Sequence, residues 1–124
     1  MIIGIGIDLV DVRRIEGIIF RWQEKFLKRV FTDKEISYCN NRKNPAQRFA
    51  TRYAAKAAFI KALYPKGTEG INFRDIEVGV KEKRTTINMY DKVKKHVESR
   101  GVKNIFVMLS HDGNYGIANV ILEG

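Results

Sequence analysis

The chain has 124 residues and a formal net charge of +9 at pH 7, because 23 Lys and Arg outnumber 14 Asp and Glu. This length fits one domain with a single hydrophobic core, and the mean hydropathy of -0.29 is typical of a soluble globular protein. The apolar runs are too short to cross a bilayer, no cleavable signal is predicted, and the single cysteine, Cys39, fits a reducing compartment. The positive charge favours an anionic partner: nucleic acid, an acidic protein or a phosphorylated cofactor.

The first predicted element is a strand over residues 2–9, IIGIGIDL. Isoleucine and leucine alternate with Gly4, Gly6 and Asp8, so the glycines remove side chains from the face that ends in Asp8. That face leaves room for a close approach to the backbone and makes Asp8 a candidate ligand. A helix N-cap is the other interpretation of Asp8, and the two roles are compatible.

Residues 11–31 have a helical pattern in which apolar residues recur at intervals of three and four, with a possible break at Gly17. The segment is strongly basic and includes Arg14 and Arg21, and it carries more apolar residues than one buried stripe needs. This combination favours docking of an acidic amphipathic partner. A solvated basic helix is the alternative.

The strongest helix signal covers residues 45–63, which follow a short helix predicted by the Thr32–Glu35 capping box. An alanine-rich face of this helix predicts close packing. Beside that face Arg48, Arg52 and Lys56 follow one another at i, i+4 spacing, and the helix contains no carboxylate to offset them. The row indicates an anion site, and a solvated basic edge is the alternative.

The second half of the chain is rich in strand signals. A loop is predicted over 64–72, strands over 73–80, 85–89, 104–110 and 115–122, and a helix over 91–100. The last two strands form a hairpin through an Asp-Gly pair, and Ser110 and His111 at its mouth form a corner that suits a phosphate. The sum is a single α+β domain over 1–124, with a mainly antiparallel sheet and helices grouped in the N-terminal half.

Four segments, GIGIDLVDVRRI, RFATRYAAKAAFIKAL, NFRDIEV and LSHDGNYGIANVILE, together resemble holo-acyl-carrier-protein synthase, the small bacterial family of 4'-phosphopantetheinyl transferases. The resemblance spans nearly the whole chain, in the same order and at family-like spacing. It implies transfer of the phosphopantetheine arm of coenzyme A to a serine of an acidic acyl carrier protein, for fatty acid biosynthesis, leaving 3',5'-ADP. It further implies a cytoplasmic, Mg²⁺-dependent homotrimer with active sites at subunit interfaces.

The resemblance also implies roles for particular residues. Asp8 corresponds to a metal ligand and Lys56 to a lysine that faces the pyrophosphate, and these two are the expected catalytic residues. The expected contacts to coenzyme A are Arg52, Lys61, Ser110 and His111. The expected contacts to the carrier protein are Arg14 and Arg21.

One position departs from the family pattern. The family motif reads A-A-K-E-A-F and its glutamate is a metal ligand, whereas this chain has Ala57 at that position. Asp8, the pyrophosphate and water can still hold Mg²⁺, which often uses only one or two carboxylates, so we expect weakened metal affinity and a lower rate. Glu35 and Asp33 are conceivable substitutes that nothing in the sequence places nearby.

Two other functions stay open at this point. A basic module that binds nucleic acid without catalysis would explain the charge and the exposed aromatic residues, although it would not explain Asp8 or the corner at His111. A family member that has lost activity but still binds the cofactor and the carrier protein would explain Ala57.

Overall fold

The computed structural model describes residues 1–64 and 70–124. Most of the loop predicted over 64–72 therefore lies outside the described residues. The elements in chain order are β1 (Ile2–Asp11), α1 (Val12–Trp22), α2 (Glu24–Val30), α3 (Asp33–Asn40), α4 (Pro45–Leu63), a 3-10 turn (Phe73–Asp75), β2 (Ile76–Lys81), β3 (Arg84–Met89), α5 (Asp91–Ser99), β4 (Asn104–Asp112) and β5 (Tyr115–Glu123).

The strands form two antiparallel sheets. One has three strands in the order β1-β5-β4, and the other is the hairpin of β2 and β3. Four of the helices precede β2 in the chain, which confirms an α+β fold with helices concentrated in the N-terminal half. Within the described ranges no helix is both long enough and apolar enough to span a membrane.

Helix α4 packs across the inner face of the three-stranded sheet and forms the centre of the core. Its Phe49, Phe59 and Leu63 are fully enclosed, as are Val120 and Leu122 on β5, which faces it. The alanine-rich face lets the sheet approach closely, since most of its side chains end at a single methyl group. The sequence pattern therefore predicted the buried face of this helix correctly.

The closest contact in the fold joins α4 to β1. A Cβ atom on Gly6 would lie 1.9 Å from the carbonyl oxygen of Ala58, and one on Gly4 would lie 2.1 Å from that of Ala62. The room left by these glycines is thus filled by the backbone of α4. Asp8 follows on the same face of β1, so this contact also brings Asp8 towards the helix.

Two predicted boundaries in the N-terminal segment were wrong. β1 continues to Asp11, and the N-cap of α1 is Asp11, whose side chain accepts from the Arg13 amide at 2.9 Å, so Asp8 does not cap the helix. The helix predicted over 11–31 breaks at Gln23, with φ 48°, and not at Gly17. The break at Gln23 reorients α2 so that its Leu27 and Val30 reach the core.

The predicted strand over 73–80 also begins later than expected. The Asn72 side chain accepts from the Arg74 amide at 3.0 Å and supports a 3-10 turn, so β2 starts at Ile76. The Thr32 capping box is confirmed, because its hydroxyl accepts from the Glu35 amide while the Glu35 carboxylate accepts from the Thr32 amide. The hairpin predicted from the Asp-Gly pair is confirmed between β4 and β5.

We expect Gly6→Ala to destabilise the fold by about 3 kcal/mol or more, because its methyl group meets a backbone carbonyl that cannot rotate away. Gly17→Ala is the matched control, since nothing lies within 4 Å of the added methyl. In helix α1 that change should be neutral or stabilising by up to about 1 kcal/mol. Urea denaturation measures both, and equal stability of the two variants would contradict the close packing of β1 on α4.

Candidate active site

Asp8 and Lys61 form an ion pair at the contact between β1 and α4. The Lys61 Nζ atom lies 2.8 Å from Asp8 Oδ1 and also donates to the carbonyl of Ile7 at 3.1 Å. The Asp8 side chain is only 16% exposed, whereas that of Lys61 is 55% exposed. The structure therefore brings together two of the residues that the sequence singled out, with the carboxylate held in place and the ammonium open to solvent.

Ala57 occupies the row of α4 that faces Asp8. Tyr53, Ala57 and Lys61 are spaced four residues apart and share one side of the helix. Tyr53 lines a cavity of about 420 Å³ together with Asp8 and Arg14, and Lys61 contacts Asp8 directly. A longer side chain at position 57 would project between these two neighbours, and alanine offers only a methyl group there.

Lys56 lies in the core, which does not support the prediction that it faces a pyrophosphate. Its side chain is 0% exposed, and its Nζ atom is 2.6 Å from Glu35 Oε1. The same atom donates to the carbonyls of Val30 at 2.7 Å and Phe73 at 3.0 Å. The ammonium is fully used in joining α4 to α3, to the end of α2 and to the turn before β2.

Helix α4 has no carboxylate of its own, and the charge of Lys56 is offset by Glu35 of α3. Its Oε2 accepts from the Val78 amide at 2.8 Å, while Oε1 accepts from the Thr32 amide at 2.8 Å. Burial lowers the pKa of Lys56, and the adjacent Glu35 charge opposes that shift. Neither Glu35 nor Asp33 can replace a ligand at position 57. Glu35 is buried and paired with Lys56, and Asp33 is exposed and pairs with Arg74 at 3.2 Å.

Arg52 is buried without a partner for its charge. The residue is 3% exposed, and its guanidinium carbon lies 4.2 Å from the centroid of the Tyr38 ring. No side-chain hydrogen bond or ion pair of Arg52 occurs in the part of the chain that the structure describes, and its Nε is buried and unsatisfied. A buried guanidinium without an anion is costly, so this residue indicates an anion site.

The Arg52 side chain faces a second cavity of about 420 Å³, between α3, α4 and the β2-β3 hairpin. Two lysines, Lys34 and Lys81, and two carboxylates, Glu35 and Glu77, also line it. Glu35 is paired with Lys56. Glu77 is in no ion pair of the described residues; it accepts from the neutral hydroxyls of Thr32 at 2.6 Å and Tyr90 at 2.9 Å and keeps its charge. Three cations, Arg52, Lys34 and Lys81, thus outnumber this one carboxylate, so the cavity keeps an excess of positive charge for an anionic ligand.

Ser110 and His111 are exposed at the end of β4, where His111 is paired with Gly116 of β5. They line neither of the cavities that contain Asp8 and Arg52. Arg21 is likewise exposed near the end of α1, with its guanidinium 5.8 Å from the Trp22 ring centroid. Asp8, Arg14 and Lys61 therefore lie together, whereas Lys56, Arg52, Arg21 and the corner of Ser110 and His111 lie in other parts of the fold.

The structure adds Tyr38, which the sequence did not single out, and places Tyr115, one of the aromatic residues that could stack bases, beside Asp8. Tyr38 has Arg52 on its ring and Arg42 at 4.4 Å, and Tyr115 lines the cavity that contains Asp8. No spacing rule could have found them, because α3 and β5 are brought to α4 by tertiary packing.

A layered α+β fold with a cavity at a buried arginine and a carboxylate-lysine pair suits a protein that binds an anionic ligand. Residues 4–119 match the family model of the 4'-phosphopantetheinyl transferase superfamily. The chain belongs to this superfamily. Within it, the chain is 44% identical to a holo-[acyl-carrier-protein] synthase of Syntrophus aciditrophicus, over 100% of this chain and 98% of that protein.

Solved structures give the same result. The holo-[acyl-carrier-protein] synthase of Neisseria meningitidis superposes with a TM-score of 0.91 at 28% identity and covers 100% of both chains. That of Helicobacter pylori, solved in complex with coenzyme A, has a TM-score of 0.83 at 29% identity and covers 96% of this chain and 99% of its own. These comparisons do not support the alternative of a nucleic-acid-binding module.

We expect Lys56→Met to destabilise the protein by about 3 to 5 kcal/mol, because it leaves the Glu35 carboxylate buried and uncompensated. The double variant Lys56→Met/Glu35→Gln should recover a large part of that loss, since the amide is neutral and can still accept from Val78. Urea denaturation of the two single variants and the double variant measures the coupling. Additive losses would show that the ion pair contributes nothing specific.

Proposed function

We propose that this protein, as one transferase domain over 1–124, transfers the 4'-phosphopantetheine arm of coenzyme A to a serine of an apo acyl carrier protein. The products are holo carrier protein and 3',5'-ADP, and the role is in fatty acid biosynthesis in the cytoplasm. The observation that carries this proposal is the buried Arg52, whose guanidinium faces a cavity and has no ion-pair partner among the residues that the structure describes. The phosphorylated adenosine of coenzyme A supplies such an anion.

Arg52 and Lys61 of α4 bind different parts of coenzyme A in this proposal. Arg52 binds the adenosine phosphates in its cavity, and Lys61 neutralises the pyrophosphate beside Asp8. Nine residues separate the two, which is about 13.5 Å along the helix and two and a half turns, so Arg52 and Lys61 lie on opposite sides of α4. Lys61 is therefore the cation that orients the pyrophosphate for in-line attack by the serine hydroxyl.

Mg²⁺ is the cofactor we propose, and the residues present fit it only in part. Among the described residues there is no cluster of three His, Cys, Asp or Glu that could hold a metal. Asp8 is one carboxylate ligand, and Mg²⁺ takes further oxygens from phosphates and water. When bound, the metal neutralises charge on the phosphoryl group. Since Ala57 contributes no ligand, the protein holds this metal weakly.

The carrier protein docks on α1 and α2. Arg14 and Arg21 are exposed there, and a groove of about 570 Å³ is lined by Ile18, Trp22, Lys25, Phe26 and Arg29. Arg14 also lines the cavity that contains Asp8. An acidic helix of the carrier protein in this groove would bring its serine towards Asp8.

The protein acts as a homotrimer in this proposal, with each active site between two subunits. The outer face of the three-stranded sheet is apolar and uncovered: Ile7 is 61% exposed and Met108 is 73% exposed. Ile5, Leu9 and Phe106 are exposed on the same two strands, and an uncovered apolar surface of this kind marks an interaction site. Ser110 and His111 would then reach the cofactor that a neighbouring copy binds. The number of subunits, three, is what the family resemblance implies.

We expect Ile7→Lys to dissociate the trimer, because it buries an unpaired charge in the sheet interface. Phe20→Lys is the matched control for oligomeric state: Phe20 is also apolar and is more exposed than Ile7, 83% against 61%, but it lies on α1, away from the sheet. Light scattering after size-exclusion chromatography distinguishes trimer from monomer. A monomeric wild-type protein, or a trimer that survives Ile7→Lys, would contradict this interface.

The function is tested by incubating the protein with an apo acyl carrier protein, coenzyme A and Mg²⁺. Mass spectrometry should show carrier protein with one added phosphopantetheine group, and Arg52→Gln should lower coenzyme A affinity by tenfold or more, about 1.4 kcal/mol. Lys94→Gln on α5 is the control for loss of one surface charge. No mass gain with a carrier protein that another transferase does modify would overturn the proposal.

A further inference from the structure

Asp8 carries its own cation in this chain. The ammonium of Lys61 lies 2.8 Å from Asp8 Oδ1, and a second hydrogen bond to the Ile7 carbonyl, at 3.1 Å, fixes it there. The carboxylate charge is therefore balanced before any metal binds. A divalent cation at the same carboxylate would lie within a few ångströms of a positive charge.

Nothing else in α4 competes for this ammonium. The helix has no acidic residue, and the position one turn before Lys61 is Ala57. A glutamate at position 57 would lie N-terminal to a lysine at i, i+4 spacing, which is the favourable orientation for an ion pair. It would both offer Lys61 a second partner and add a negative charge to the site.

We propose that Lys61 is the built-in counter-cation of Asp8 and weakens the binding of a divalent metal to the free protein, so that the metal binds tightly only together with a diphosphate. This inference rests on the function proposed above and specifies the order of binding at its site. The diphosphate supplies the negative charge that draws the Lys61 ammonium away from Asp8. The Lys61 side chain, more than half exposed, can make that move without disturbing the core.

The test measures metal binding alone, by titrating the protein with Mn²⁺ and following free Mn²⁺ by electron paramagnetic resonance without coenzyme A or carrier protein. Lys61→Met keeps the length of the side chain and removes its charge, so we expect it to bind Mn²⁺ about tenfold tighter than wild type. Lys94→Met is the matched control and should bind as wild type does. Adding coenzyme A should raise Mn²⁺ retention by wild type at least as much.

Four further variants make the result decisive. Ala57→Glu adds a second carboxylate, so its Mn²⁺ affinity is higher and easier to measure, and Ala57→Glu/Lys61→Met should bind Mn²⁺ more tightly still. Asp8→Asn, combined with Lys61→Met, should remove the gain. Lys61→Gln provides a second neutral variant if the methionine variant folds poorly.

The proposal is overturned if wild type and Lys61→Met bind Mn²⁺ equally, or if Lys94→Met gives the same gain. These outcomes are separate from a failure of the proposed function, because the titration involves neither transfer nor carrier protein. If the variants change Mn²⁺ affinity as expected but the protein never modifies a carrier protein, the transferase proposal is wrong. The proposal that Lys61 competes with the metal for Asp8 then still holds.

Discussion

The backbone of α4 lies directly against the backbone of β1, and the rest of the site depends on that contact. It exists because Gly4 and Gly6 have no side chains, so that the backbone carbonyls of Ala62 and Ala58 occupy the space that Cβ atoms would need. Sheet and helix are thereby held closer than larger residues would allow. Asp8 is two residues beyond Gly6 on the same strand face, so its distance from α4 is set by this packing.

The buried charges of the core serve the same helix. Lys56 and Glu35 join α4 to α3, and Glu35 continues the connection to the Val78 amide of β2. A buried ion pair of this kind is weak evidence for stability in itself, since desolvation offsets much of its attraction. The ion pair instead fixes the position of α4 relative to the β2-β3 hairpin. Arg52 lies between these two elements, on a wall of the cavity.

Helix α4 thus contains two lysines with different roles, Lys56 and Lys61. They are five residues apart, so they lie on clearly different sides of a helix with 3.6 residues per turn. Lys56 points into the core and Lys61 points to Asp8 at the surface. Position 57 lies on the Asp8 side of the helix, so the alanine there leaves the buried pair of Lys56 and Glu35 untouched.

The sequence by itself determined the elements, the buried face of α4, the capping box at Thr32, the hairpin of β4 and β5 and the resemblance to phosphopantetheinyl transferases. These follow from local periodicity, from turn and cap chemistry, and from motifs that run along the chain. Tertiary structure alone decided that Glu35 pairs with Lys56, that Lys61 reaches Asp8 and that Arg52 has no ion-pair partner within residues 1–64 and 70–124. The two ion pairs join residues 21 and 53 positions apart, and no spacing rule relates side chains that only the packing of separate elements brings together.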